Sequence, residues 1–566
     1  MKIKWGIIIV LIIGLFFRVY RLNNLPVSMF GDEVDASYHA WSLATTLHDY
    51  RGHFLPSYIQ SFAEWRAPLE MYVVAPFVGL MGPSTFSARL PMALLGVLSI
   101  YLTYLIINLL FPEERHLLPI HSRLPDAGTI AALVLALTPW HIHYTRNVVE
   151  QPPLFALILL GVYFYLKAKN RPIFYPLSLF FFILTFYTYS IANLATPFIV
   201  IILLICFPPK VKDLIQKKTL GGLFISFLTV IPIAYQILFG QAAGRFKLIN
   251  IANDHVVLEQ IVLDRNRPWL ASPLLEKIFN NKLTAVGGEF AKNYLTAISP
   301  EFLFITGDPI YRQNVDKFGA FLLVLAPFFF IGLFVAIFRK NKSGLFLVLW
   351  FLLIPIGSSL TQGGGNHGSR LFLQNFPVVS FIAIGIMEVI DRLNKKLKIV
   401  SLLLILAFIT LNFSAYWYRY TTHYAYESSH VWQYGYEPLY VGARKFIPSA
   451  KRVFINNTFE PALYRFAFYY PILPSDFLKT FKSDAPISQI LPGFNGYRYG
   501  DKFFFGQADN FEAMVKLLQP GDIYIAAQGR EIPGDWDLEK ATALELKVLL
   551  TVRDFYQRPL FYILSK

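Results

Sequence analysis

The run Trp5-Gly6-Ile7-Ile8-Ile9-Val10-Leu11-Ile12-Ile13-Gly14-Leu15-Phe16-Phe17 ends at Arg18, and Leu25-Pro26-Val27-Ser28-Met29-Phe30-Gly31-Asp32-Glu33 follows closely. An apolar stretch closed by an arginine sets the carboxylates of Asp32 and Glu33 at a membrane surface. Carboxylates there ionise freely, yet they lie close to any substrate held in lipid. An enzyme acting on a lipid-linked substrate would keep its base in such a place.

The rest of the chain repeats the apolar theme. Of 566 residues, 55% are hydrophobic and 15% charged, against about 25% charged in an ordinary soluble domain. Phe321–Phe338 and Ile399–Phe413 are further apolar runs of roughly membrane-spanning length. This composition predicts a polytopic α-helical membrane protein. The net charge of +15 matches the cytoplasmic Lys/Arg excess of such proteins, so nucleic acid is not the expected partner. The only cysteine, Cys206, lies in an apolar run and excludes an intrachain disulfide. Phe16-Phe17-Arg18-Val19-Tyr20 is too bulky for a cleavage site, so the first segment reads as a retained signal anchor.

Five short loops are basic: Arg115 to Arg123; Lys167, Lys169 and Arg171; Lys210, Lys212, Lys217 and Lys218; Arg339, Lys340 and Lys342; and Arg392, Lys395, Lys396 and Lys398. Charge bias places them in the cytoplasm with Lys2 and Lys4. The segments 21–86, 141–152, a turn near Tyr189, 240–317, 361–370 and everything after about Tyr416 then face outward. Pro68–Met81 would reverse every later loop if it crossed, so it reads as a re-entrant or interfacial helix. About eleven spans result, with the N-terminus inside and the C-terminus outside a cytoplasmic (inner) membrane. Residues 1–416 form the membrane domain and 417–566 an extracytoplasmic α/β domain. In the latter, Arg452–Ile455, Lys502–Phe505, Asp522–Ala526 and Phe561–Leu564 read as strands, and Tyr436–Phe446 and Pro461–Tyr470 as helices.

The outer loops hold the candidate chemistry. Asp32 and Glu33 precede a helix pattern on Val34, Tyr38, Trp41 and Thr45; a plain helix cap by Asp32 explains them equally well. In Trp140-His141-Ile142-His143-Tyr144-Thr145-Arg146-Asn147-Val148-Val149-Glu150, the paired histidines are a weak metal signal without a third ligand. Arg146 and Glu150 suit a helix ion pair or a substrate role. Gly307-Asp308-Pro309, leading to Arg312, is a turn that either fixes a loop or roofs a cavity. In Gly363-Gly364-Gly365-Asn366-His367-Gly368-Ser369-Arg370, the glycines let backbone N–H groups approach an anion, and Arg370 with His367 suits a phosphate. A flexible connector with a snorkelling arginine is the plainer account.

Together these pieces resemble glycosyltransferase family 39, the dolichyl-phosphate-mannose–protein mannosyltransferases, and the related bacterial lipid A aminoarabinose transferases, with the GT-C membrane fold. The carrying residues are Arg18-Val19-Tyr20-Arg21-Leu22, Asp32-Glu33, Arg66-Ala67-Pro68-Leu69, Ala88-Arg89-Leu90-Pro91, Tyr144-Thr145-Arg146 and Trp432-Gln433-Tyr434-Gly435-Tyr436. The likeness is clearest over residues 1–160. It implies sugar transfer from a polyprenyl-phosphate donor at the outer membrane face. Asp32 matches the family's catalytic aspartate and Glu33 its acidic neighbour; Glu150 is a looser match to a second acid. Where relatives often have two prolines this chain has Ala67-Pro68 followed by Glu70, a departure that bears on acceptor contacts around Arg66. No inserted repeat domain separates Gly240 from Phe318, unlike in eukaryotic protein mannosyltransferases. The acceptor is a protein, a lipid or a glycan. A phosphodiester leaving group needs one cation and no cofactor; a divalent metal is compatible but not required. The rival expectations are an oligosaccharyltransferase or glycan ligase using a diphosphate donor and a metal, a lipid-sugar flippase, and a non-catalytic glycan-binding protein.

Overall fold

In the computed structural model, residues 5–61, 64–112, 126–240, 250–266, 272–457, 461–540 and 545–566 are described. Lys2, Lys4 and the basic loop Arg115 to Arg123 lie outside them. Among the described residues, six helices are long and apolar enough to cross a membrane: Thr85–Leu110, Gln151–Ala168, Lys217–Gln236, Lys342–Ser359, Gly368–Asp391 and Lys396–Thr422. Six shorter apolar helices join them, among them α1 (Trp5–Val19), α3 (Leu69–Met81) and Ala192–Cys206. Between α1 and α3 lie α2 (Gly31–Thr46) and a hairpin of β1 (Ile59–Ser61) and β2 (Glu64–Arg66). α4 (Thr85–Leu110) follows α3. Lys217–Gln236 and Lys396–Thr422 bury only 17% of their apolar windows, as expected of helices on a lipid-facing perimeter. Inside the bundle, Ala326–Phe338 and Asn375–Asp391 meet backbone to backbone. A Cβ on Gly332 would collide with the Phe381 carbonyl and one on Gly385 with that of Phe328. Small residues allow this close approach where no hydrophobic force drives helices together.

α3 resolves the difficulty posed by Pro68–Met81. It begins beside Arg66, which pairs with Asp32 at 3.0 Å. It leads into Thr85, whose hydroxyl donates to Glu437 of the C-terminal part at 3.3 Å. Both ends therefore stay at the same end of the bundle.

The four described basic segments each join two apolar helices. The connections between them, near residues 30, 150, 189, 312 and 367, converge at the end of the bundle that carries the C-terminal domain. The last long helix runs to Thr422, past the expected boundary at residue 416, because Tyr416 and Tyr420 pack into the bundle core.

The C-terminal domain is a seven-stranded mixed sheet. In chain order its strands are β3 (Val453–Asn456), β4 (Ile487–Leu491), β5 (Phe494–Tyr499), β6 (Phe503–Ala508), β7 (Ile523–Ala527), β8 (Lys547–Arg553) and β9 (Pro559–Ser565). The spatial order is β4-β5-β6-β3-β7-β9-β8. β3 is parallel to both its neighbours, and the remaining pairs are antiparallel. The four strands expected from the sequence are present, as are helices at Tyr436–Ala443 and Ala462–Tyr469. β4, β5 and β8 were not anticipated. One face of the sheet packs through Phe466, Phe477 and Phe505 onto Tyr38, Tyr50, Met71 and Val74 of the first loop region. The other face packs on Phe511 and Met514.

Candidate active site

α2 begins at Gly31, three residues earlier than the sequence pattern suggests. Its capping carboxylate is Glu33 rather than Asp32: Glu33 Oε1 accepts from the Phe30 N–H at 3.1 Å. Glu33 also accepts from the Val148 N–H at 2.9 Å, and both its oxygens take donors from Arg89 at 3.0 Å. It is buried and its acceptor sites are largely filled. Asp32, released from capping, keeps 40% of its side chain exposed while Oδ1 pairs with Arg66.

Two buried guanidiniums hold the loop that delivers Asp32. Arg89 donates to the carbonyls of Pro26 at 2.9 Å and Ser28 at 2.6 Å. Arg146 donates to those of Phe17 at 2.7 Å, Tyr20 at 2.8 Å and Leu25 at 2.9 Å, and to Tyr420 Oη at 3.2 Å. Arg146 was expected at the substrate. It is instead fully buried away from the cavity, because irregular backbone between two helices leaves carbonyls that only a branched donor satisfies together. From the C-terminal domain, Gln433 Oε1 accepts the Gly31 N–H at 3.0 Å and a donor from Arg465.

Asp32, Glu33, Glu150, His143, Arg312, His367 and Arg370 all line one cavity of about 220 Å³. Arg66 reaches it through Asp32, and Glu150 and Glu70 act on Arg66 electrostatically. Burial, then the charge of Glu150, raises the Glu70 carboxyl well above the ordinary range. Arg312 lies 3.7 Å over the Phe30 ring centroid. Arg370 donates to Thr361 Oγ1 at 2.6 Å and the Gln362 carbonyl at 2.8 Å. The His143 Nε2 meets the Arg312 carbonyl at 2.7 Å; burial lowers its imidazole to about 4, so it is neutral at pH 7. His141 points elsewhere, to Arg18 at 2.5 Å and Ser99 at 2.9 Å, so the two histidines do not form a ligand pair.

Asp308 does not line the cavity. Its carboxylate accepts the Gly368 N–H at 2.6 Å and the Ile310 N–H at 2.8 Å, tying the Gly307-Asp308 turn to the glycine-rich loop. Burial raises it to about 6, although both N–H donors oppose that. A Cβ on Gly368 would crowd this tie, lying 3.0 Å from Tyr144 Oη and 3.2 Å from Asp308 itself.

Sequence reasoning missed several residues in and beside the site. Glu64 on β2 and Trp432 line the cavity; nothing in the local pattern marks Glu64, whereas Trp432 opens a quoted motif. Asp35, one turn after Asp32, is fully buried and accepts from Tyr50 Oη and Ser61 Oγ, both at 2.5 Å. Burial raises its carboxyl to about 6 against those two donors. Among the described residues, no group of three or more His, Cys, Asp or Glu is arranged to hold a metal ion.

No family model matches the sequence, and no curated protein is similar to it. Solved structures are. The apo structure of ArnT from Cupriavidus metallidurans aligns with a TM-score of 0.54 at 12% identity, covering 98% of this chain and 97% of that one. ArnT bound to undecaprenyl phosphate gives 0.48 at 11% identity, covering 98% and 97%. The archaeal oligosaccharyltransferase AglB from Archaeoglobus fulgidus, in complex with an inhibitory peptide and a dolichol-phosphate, gives 0.46 at 11% identity over 82% of this chain. This chain spans 63% of the AglB length. The end-to-end likeness to ArnT shows the architecture: a helical membrane domain and a C-terminal sheet domain arranged in the GT-C fold.

Proposed function

We propose that the chain transfers a sugar from a polyprenyl-phosphate donor to an acceptor hydroxyl at the outer face of the membrane, with inversion. The observation that carries this reading is the convergence in one cavity of a half-exposed carboxylate, Asp32, with the cations Arg312 and Arg370. The basic connections alternate along the chain with those that build the cavity, and charge bias assigns the basic ones to the cytoplasm.

In the reaction the acceptor oxygen bonds to the anomeric carbon as the carbon–oxygen bond to phosphate breaks. Asp32 takes the acceptor's proton as general base. The departing phosphate gains charge, and Arg312, Arg370 and the His367 side of the glycine-rich loop stabilise it. Glu33 and Arg66 position Asp32. Glu150 shapes the field at Arg66, and the chemistry requires no cofactor. The test is a transfer assay with radiolabelled polyprenyl-phosphate sugars, wild type beside Asp32→Asn. Product from wild type alone supports the reading; equal turnover by both removes Asp32 from it.

A further inference from the structure

The helices Ala326–Phe338 and Asn375–Asp391, which meet backbone to backbone at Gly332 and Gly385, share a groove of about 670 Å³ toward their basic ends. Its wall is mostly a phenylalanine stripe. Phe330, Phe334 and Phe338 stand four residues apart on one helix face and are 47%, 59% and 63% exposed. Side chains this apolar and this open on a membrane helix have hydrocarbon as their solvent.

The groove ends in charge. Arg339 and Arg392 each directly follow one of the two helices, and both close on Glu388. Arg339 donates to Glu388 Oε2 at 2.5 Å, and Arg392 donates to Oε1 through Nε at 3.0 Å and Nη2 at 2.6 Å. The shared carboxylate holds the two guanidiniums side by side. Two cations and one anion leave the trio at +1. Arg392 spends two of its five donors on Glu388 and stays 77% exposed. Lys340 and Lys342 follow Arg339 in the same basic segment. The groove lies at the opposite end of Asn375–Asp391 from the glycine-rich loop of His367 and Arg370, so it is no part of the catalytic cavity.

The occupant must satisfy both halves of this wall. A free phosphate leaves the phenylalanines uncovered. A second copy docked stripe to stripe about an axis along the membrane normal brings the two basic trios together, like charge toward like charge. A zwitterionic lipid carries a cation of its own to the arginines. A lipid with a net negative headgroup covers the stripe with a chain and meets the cations with its phosphate.

We propose that this groove binds an anionic phospholipid of the surrounding bilayer, with an acyl chain along Phe330, Phe334 and Phe338 and the phosphate at Arg392. The proposal does not rest on the transferase reading. Native mass spectrometry of the purified full-length protein, titrated with dioleoyl phosphatidylglycerol or dioleoyl phosphatidylcholine, tests it through the first lipid bound. Wild type is expected to hold phosphatidylglycerol about fivefold more tightly, the effect of one cation beside an anionic headgroup. Arg392→Gln leaves the remaining pair neutral and should hold both lipids equally. Phe334→Ala should weaken both lipids and keep the preference. Neither variant should change the melting temperature without added lipid. Equal affinity of wild type for the two lipids, a preference that survives Arg392→Gln, affinities untouched by Phe334→Ala, or a dimer that Phe334→Ala dissolves overturns the proposal.

Discussion

Two neighbouring acids behave differently because one is exposed and the other is not. Asp32 keeps part of its carboxylate open to the cavity. Asp32→Asn is expected to fold normally and to lose transfer by a factor of about 10² to 10⁴, the usual share of a general base. Glu33 is buried against the buried Arg89. Glu33→Gln leaves a guanidinium without its counter-charge, so it should destabilise the protein by about 3–5 kcal/mol. A melting curve separates the two: a lower midpoint for Glu33→Gln and an unaltered one for Asp32→Asn. The reverse pattern contradicts the assignment. The adjacent letters in the sequence carry no such distinction; it comes from Arg89, 56 positions away.

At the scale of elements, the glycine-rich loop is held by one carboxylate. Asp308→Ala removes the acceptor of the Gly368 N–H, and leaving that donor unpaired costs about 1–3 kcal/mol. The loop that bears His367 and Arg370 should loosen, raising the KM for the polyprenyl-phosphate donor more than it lowers kcat. An unchanged donor KM would show that the tie is unimportant. In α2, Asp35 is enclosed by Tyr50, Ser61 and His39, with Arg66 and Asp32 acting from further off. Its carboxyl titrates near 6 in the fold against 3.8 ordinarily. The folded state therefore holds this proton more tightly. The resulting stabilisation is complete below about pH 4 and is lost as pH rises through 6, an effect of roughly 3 kcal/mol. An asparagine there carries no such loss. Asp35→Asn should therefore gain stability relative to wild type as pH rises from 4 to 7. His39, driven by burial to about 3, is neutral in the folded wild type across this range. A pH-independent difference between their melting points would refute the buried-carboxyl account.

At the scale of the whole molecule, the membrane part and the sheet domain share a core. Tyr38, Tyr50 and Val74 from the first loop region pack with Phe466, Phe477 and Phe505. Phe466→Ala should cost about 3–5 kcal/mol, and it should lower the melting of the first loop region and of the sheet together. Limited proteolysis followed at both regions checks this; separate transitions would contradict a common core. Much of the architecture was legible in sequence: apolar runs mark helices because lipid demands internally satisfied backbone, and alternating β-rich runs mark the sheet. β4, β5 and β8 were not: β4 is a short exposed strand with little burial pattern, whereas β5 is largely buried and β8 half-buried. The cavity's composition was partly legible, because acids and arginines on non-basic loops stand out against the charge bias. Arg146 and Asp308 stand out for the same reason, yet both serve the backbone.

The sequence by itself determined that this is a helical membrane protein and that Asp32 follows its first apolar helix. It also determined that His367 and Arg370 belong to a glycine-rich connection. Those conclusions need only local composition, which hydrocarbon filters strictly. Only the tertiary structure decided that Glu33 is Arg89's partner, that Arg146 clamps carbonyls, and that Gln433 reaches Gly31 beside Asp32. Each of those depends on contacts between residues far apart in the chain, and such pairings leave no periodic trace in a single sequence.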